Sequence, residues 1–183
     1  MNYISSREEF RNWLKNNSKK ENEVFVLCKR CKPSSNVFSY IDAVEEAICF
    51  GWIDSIYKKI DGVNLQRFSP RKKNSPWTEL NKERARRLIK LGLMDDEGKK
   101  ILPNLDKEFK IPKSFINLLI KNEIYETFLS FPALYQRIRV YNILFYKDLD
   151  KKMYKAALKH FIEQTKKGKI YGEWNDYGRL INY

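Results

Sequence analysis

The stretch CFGWIDSIYKKIDGVNLQRFSPRKKNSPWTELNKERARRLIKLGLM, Cys49 to Met94, decides the fold. At its centre Asp61-Gly62 separates two β-prone runs, Ile53–Ile60 and Val63–Phe68. That dipeptide is the strongest short-range signal for a two-residue hairpin, because both central positions need φ > 0. Pairing Ile60 with Val63 sets an expected register in which Ile56 faces Arg67, Ser55 faces Phe68 and Asp54 comes level with Ser69. Pro70 ends the ladder because it lacks an N–H. Ser75-Pro76 then offers an N-cap followed by proline at the first helical position, which predicts a helix from Pro76 to Leu91 that stops at Gly92. On such a helix Trp77, Asn81 and Arg84 fall at i, i+4 and i+7 and share a face.

Working outward, Ser5-x-x-Glu8 has the form of a capping box and predicts a first helix over Arg7–Asn16. The apolar run Val24–Leu27 reads as a buried strand. Ser39-x-x-Asp42 is a second capping box, and Val44, Ala47 and Ile48 follow at helical spacing up to Gly51. Helix, strand, helix, hairpin, helix is an α+β order, a small antiparallel or mixed sheet with a central β-hairpin covered by helices. Residues 95–112 read as a linker with one helical turn. Beyond it, 112–121, 123–130, 132–147 and 149–167 are helix-like, with Gly168 as the final cap. The expected division is an α+β domain over 1–100, a helical region over 101–168 and an aromatic tail, 169–183, that folds back. The tail's IYGEWNDYGRLINY carries more Trp and Tyr than a frayed terminus retains.

Composition bounds the function. The 183 residues are 43% hydrophobic and 14% aromatic, which argues against disorder even with 32% charged. No window approaches the roughly 18 apolar residues of a membrane span. The amino terminus MNYISSREEF lacks the apolar core of a leader, so the expected address is cytoplasmic. The net charge is +13, and within Arg67–Lys90 nine Lys and Arg face two Glu. A cluster of that density attracts anions. The bland alternative is that Lys enrichment leaves ordinary solvated faces.

The catalytic templates mostly fail. Phosphate-loop, zinc-protease and nucleophile-elbow motifs are absent, and the one histidine, His160, has no nucleophile at a useful spacing. Cys28-Lys-Arg-Cys31 has CxxC spacing, but a zinc site would need Cys49 and His160 to converge on it, and Cys28 ends a strand rather than opening a helix. No metal, cofactor or catalytic residue is assigned. What remains is Trp52, Asp54, Arg67, Arg71, Ser75, Trp77, Asn81 and Arg84, which together read as an anion pocket with an aromatic wall: guanidinium forks bind carboxylate or phosphate, and a helix start adds N–H groups. In the competing structural reading the tryptophans are core, Asp54 pairs with Arg71 or Arg67, and Ser75 only caps.

The string Tyr40-Ile-Asp-Ala-Val-Glu-Glu-Ala-Ile-Cys-Phe-Gly-Trp-Ile-Asp54, with Arg67-Phe-Ser-Pro-Arg71, Ser75-x-Trp77-x-x-x-Asn81 and Gly92-x-Met94, resembles the bacterial YdeI/OmpD-associated family, described as bacteriocin-protection proteins. Tyr171-Gly-x-Trp174-Asn-Asp176-x-Gly178-Arg-Leu180 is similar to the tail of a Lys-rich subgroup. The resemblance implies a part in tolerance of bacteriocins and antimicrobial peptides and carries over no reaction. Three functions stay open: binding of a small anionic or phosphorylated ligand, nucleic-acid binding driven by the basic charge, and an enzyme in which Asp54 is acid or base and Arg71 stabilises negative charge. Nothing in the sequence sets the oligomeric state.

Overall fold

The computed structural model describes residues 3–183; Met1 and Asn2, the first residues of the terminus read for a leader, lie outside the described residues. The elements are α1 (Arg7–Asn17), β1 (Val24–Val26), α2 (Tyr40–Cys49), β2 (Trp52–Ile60), β3 (Val63–Pro70), α3 (Glu79–Lys90), α4 (Asp96–Lys99), α5 (Lys113–Lys121), α6 (Tyr125–Leu129), α7 (Ala133–Phe145) and α8 (Lys151–Lys166). This is an α+β fold with an antiparallel three-stranded sheet in the order β1-β3-β2 and a helical C-terminal region. The chain divides into two compact units. One comprises residues up to Pro76, 83–105 and Tyr183; the other comprises 77–82 and 106–182.

In the first unit the hairpin turns at Asp61 (φ 48) and Gly62 (φ 83), the paired positive dihedrals of a type I′ turn. The outer register holds from Ile60↔Val63 to Tyr57↔Gln66. It then shifts, because a bulge at Ser55–Ile56 places Asp54 opposite Phe68 and Ile53 opposite Ser69. Gln66 explains the bulge. Its side chain is fully buried, and its amide nitrogen lies 3.3 Å from Ser55 O and 3.2 Å from Ile56 O, donating to the carbonyls that the extra residue takes out of the ladder.

The inner face of the sheet carries Phe68, which meets Phe10 of α1 at a ring separation of 5.1 Å. The α1 capping box is Ser6 with Glu9, one residue later than the expected Ser5 and Glu8, while α2 opens on Ser39 and Asp42 as read. Helix α2 is buried along nearly its whole length and includes three carboxylates, Asp42, Glu45 and Glu46. Arg7 meets all three, at 2.9, 3.1 and 2.6 Å respectively; Arg11 meets Glu46 at 2.7 Å and Arg87 meets Glu45 at 2.7 Å. These ions are tolerable inside only as a matched set.

The second unit packs α5 to α8 around Phe115, Leu119, Phe128, Tyr135 and Phe161. Tyr171 and Trp174 of the tail lie against this core, and Leu180 and Asp176 are buried. Gly168 (φ 64) ends α8 as a Schellman cap, with Lys169 N–H on Gln164 O and Gly168 N–H on Thr165 O.

Two glycines separate steric from conformational demand. A Cβ on Gly98 would lie 2.1 Å from Cys49 O, whereas one on Gly62 would meet nothing within 4 Å. Gly98→Ala is expected to lower unfolding free energy by ~2 kcal/mol or more through forced displacement of α4 from the end of α2. Gly62→Ala should cost only the left-handed backbone penalty of about 1 kcal/mol. Denaturation midpoints of the two variants check the ranking.

Candidate functional site

Asp54 sits where β2 is still covered, before the bulge. Directly paired residues share a face, so Asp54 lies with Phe68 and not with Arg67. The expected register would have put Asp54 level with Ser69, on the face that carries Arg67; the bulge sends Asp54 and Arg67 to opposite faces. Arg67 turns outward and spends its fork on Glu23 at 2.6 Å and Ser55 Oγ at 3.1 Å. Inward, Asp54 accepts a 2.6 Å hydrogen bond from the phenol of Tyr40, the first residue of α2.

Around this pair gather three guanidinium groups. Arg30 lies 4.9 Å from the ring centre of Tyr40 and 4.7 Å from that of Tyr57, and donates to Gln66 Oε1 at 3.0 Å. The charges of Arg84 and Arg30 both act on the Tyr40 phenol. Arg71, 6% exposed, donates through Nη1 to Pro76 O at 3.1 Å. Burial lowers its pKa to about 10 despite the attraction of Asp54. Burial, then the charge of Asp54 and the bond to it, push the Tyr40 phenol well above its ordinary value, so Tyr40 is a neutral donor.

The remaining expected residues are placed differently. Trp52 is 1% exposed, packs edge-on against Trp13 at 5.4 Å and donates Nε1–H to Ser18 O at 3.3 Å, so it is core and no wall of a pocket. Ser75 does not cap a helix. Its N–H donates to Lys72 O in a turn, residues 75–78 run without regular structure, and α3 begins at Glu79 with Thr78 Oγ1 accepting from Asn81 N–H at 3.1 Å. Trp77 therefore precedes the helix, and the expected i, i+4, i+7 face reduces to Asn81 and Arg84. Trp77 and Asn81 belong to the second unit; Asp54, Arg71 and Arg84, which is also 6% exposed, belong to the first.

Arg30, Tyr40, Tyr57 and Gln66 were missed by sequence reasoning. A usable signal existed for Gln66: an amide at the inward phase of a strand, two residues before Phe68, marks a buried polar group that must find partners.

Cys28 and Cys49 are buried and Cys31 is exposed; all three are free thiols, and among the described residues no group of three or more His, Cys, Asp or Glu is placed to hold a metal ion. Nor is any helix there long and apolar enough to cross a membrane.

Residues 2–101 match the model of a family described as "Domain of unknown function (DUF8412)". The chain belongs to that family. No curated protein and no solved structure matches it. The matched segment contains the hairpin, α2, α3 and the whole Tyr40–Asp54 cluster.

Two measurements test this geometry. Gln66→Leu keeps volume but strips the donor from the bulge carbonyls, and should lower stability by about 1–3 kcal/mol in chemical denaturation. Burial raises the Cys28 thiol to about 11 and the Cys49 thiol to about 12 from an ordinary 9.0. The unfolded chain thus loses these protons first, and stability should fall as pH rises from 9 through 12. Replacing both thiols, Cys28→Ala with Cys49→Ala, should flatten that slope in urea melts taken across the window.

Proposed function

We propose that the unit carrying the family segment binds a small anionic or phosphorylated ligand beside the Tyr40–Asp54 pair, that it does so in the cytoplasm, and that this binding serves tolerance of bacteriocins or antimicrobial peptides. The observation that carries the reading is the convergence of the Arg30, Arg71 and Arg84 charges on one carboxylate and its phenol. Guanidinium forks match phosphate and carboxylate geometry, and a desolvated one holds an anion more strongly than it would in water. Arg30 is exposed beside two tyrosine rings, so its guanidinium is open to a ligand from solvent. The resemblance to the YdeI/OmpD-associated family supplies the physiological setting.

Binding is favoured over the other two readings by particular side chains. Stacking on nucleic-acid bases needs an open aromatic face, and Trp52, one of the two indoles expected beside the arginines, is enclosed in the core. The enzyme reading gives the acid or base role to Asp54, and one oxygen of that carboxylate is already taken by the Tyr40 phenol at 2.6 Å.

Calorimetric titration with inorganic phosphate and pyrophosphate tests the proposal. Saturable binding of at least one is expected, weakened about tenfold by Arg30→Gln and by Arg71→Gln, since one charge-assisted hydrogen bond is worth ~1.5 kcal/mol or more. Arg30 is exposed, so its variant remains interpretable if the Arg71 variant misfolds. An absence of heat and of thermal stabilisation with both anions would overturn the reading.

A further inference from the structure

The second unit contains a cleft of about 490 Å³, a size that suits a small-molecule ligand. Three aromatic rings from the end of α7 and just beyond it, Tyr141, Phe145 and Tyr146, line it, and Tyr171 of the tail closes one side. Besides the tyrosine phenols and the Thr78 hydroxyl, its polar groups are Arg139, His160 and the amide of Asn142, and no carboxylate is among the described residues that line it.

Arg139 is held in place. Its guanidinium carbon lies 4.0 Å from the ring centre of Tyr171, and its Nη2 donates to the carbonyl of the same residue. Gly172 makes this possible, since at φ +72 a Cβ there would come within 2.9 Å of Nη2. The tail thus fixes the orientation of a cation whose Nε is buried and makes no hydrogen bond to the described residues. The rings of His160 and Tyr171 meet edge to face with their centres 4.6 Å apart.

We propose that this cleft binds a small planar anion, an aromatic ring bearing a phosphate or a carboxylate. The ring would lie among the tyrosines, where offset and edge contacts between aromatic groups are favourable. The acidic group would meet Arg139 and His160, the first of which is already ordered, so that little side-chain entropy is lost on binding. Burial holds the Tyr171 phenol up at about 12 against the pull of Arg139, so it adds no negative charge to repel the ligand. The aromatic tail, on this view, packs the helical core with Trp174 and shapes a site with Tyr171.

Four probes on the intact chain decide it: adenosine monophosphate, salicylate, adenosine and inorganic phosphate, followed by calorimetry and by amide NMR shifts. Adenosine monophosphate or salicylate should bind saturably and perturb amides of α7, α8 and the tail; the first result identifies a phosphate ligand, the second a carboxylate. Ala157→Leu, which fills the cleft, should reduce that affinity at least about tenfold, and His160→Gln, at an exposed position, by several-fold. Arg30→Gln should leave the amide shifts of α7, α8 and the tail unchanged, which separates this site from the one in the first unit. Read at the amides of α7, α8 and the tail, failure of both aromatic anions to bind would overturn the proposal, as would equal affinity for adenosine or phosphate alone, or binding indifferent to both Ala157→Leu and His160→Gln.

Discussion

The amide of Gln66 fills a gap that the backbone alone could not. A strand that gains one residue leaves carbonyls without ladder partners, and a buried amide such as that of Gln66 costs on the order of 1–3 kcal/mol if it finds none. By donating to Ser55 O and Ile56 O, Gln66 makes the bulge affordable, and the bulge decides which face of the sheet Asp54 occupies. On the inner face Asp54 meets Tyr40 and lies within reach of Arg71. Without the extra residue it would stand outside with Arg67. The candidate site is thus a consequence of one hydrogen-bonded irregularity, with the same amide also anchoring Arg30 through its oxygen.

The net charge of +13 takes on meaning only when the arginines are sorted by partner. Arg7, Arg11 and Arg87 belong to the buried acids of α2 and hold α1 and α3 to it. Arg67 is tied to Glu23 on the outer face. In the second unit, Glu79 is buried against Lys82 at 2.7 Å and Arg137 at 3.1 Å. Within Arg67–Lys90, Arg67 and Arg87 therefore tie elements together and Lys82 pairs inside its own helix, while the charges of Arg71 and Arg84 act on Asp54 and Tyr40.

Local rules carried the element order a long way. The Asp61-Gly62 turn, the Ser39 capping box, the stops at Gly92 and Gly168 and the four C-terminal helices all arise from side chains acting within a few residues of themselves, so they can be read from spacing. The failures are tertiary. A bulge is invisible to alternation because it depends on Gln66, a residue across the hairpin. The start of α3 moved from Pro76 to Glu79 because the 72–75 turn and the Arg71 bond to Pro76 O claimed the segment that a cap at Ser75 would have used. Trp52 read as a pocket wall because its neighbours in sequence are charged, whereas its neighbours in space are Trp13 and Ser18. Within the candidate site, Asp54, Arg71 and Arg84 were legible, and Arg30 and Tyr40 were not, since they come from segments far from the basic run.

The same unit holds guanidinium groups in two ways: Arg7 and Arg11 are part-exposed against buried acids, and Arg71 is itself buried. Burial pulls Arg7 down, yet the carboxylates of Glu46, Glu45 and Asp42 together carry it above its usual pKa; Arg11 is likewise raised, chiefly against burial by its bond to Glu46. Where an arginine serves the fold, acids compensate it. At Arg71 burial prevails over Asp54, and the group holds its proton less firmly than it would in water. A side chain of similar volume without charge would spare the chain that desolvation. Under the proposed function, a negative charge supplied from outside would offset part of that desolvation beside the tyrosine–aspartate pair.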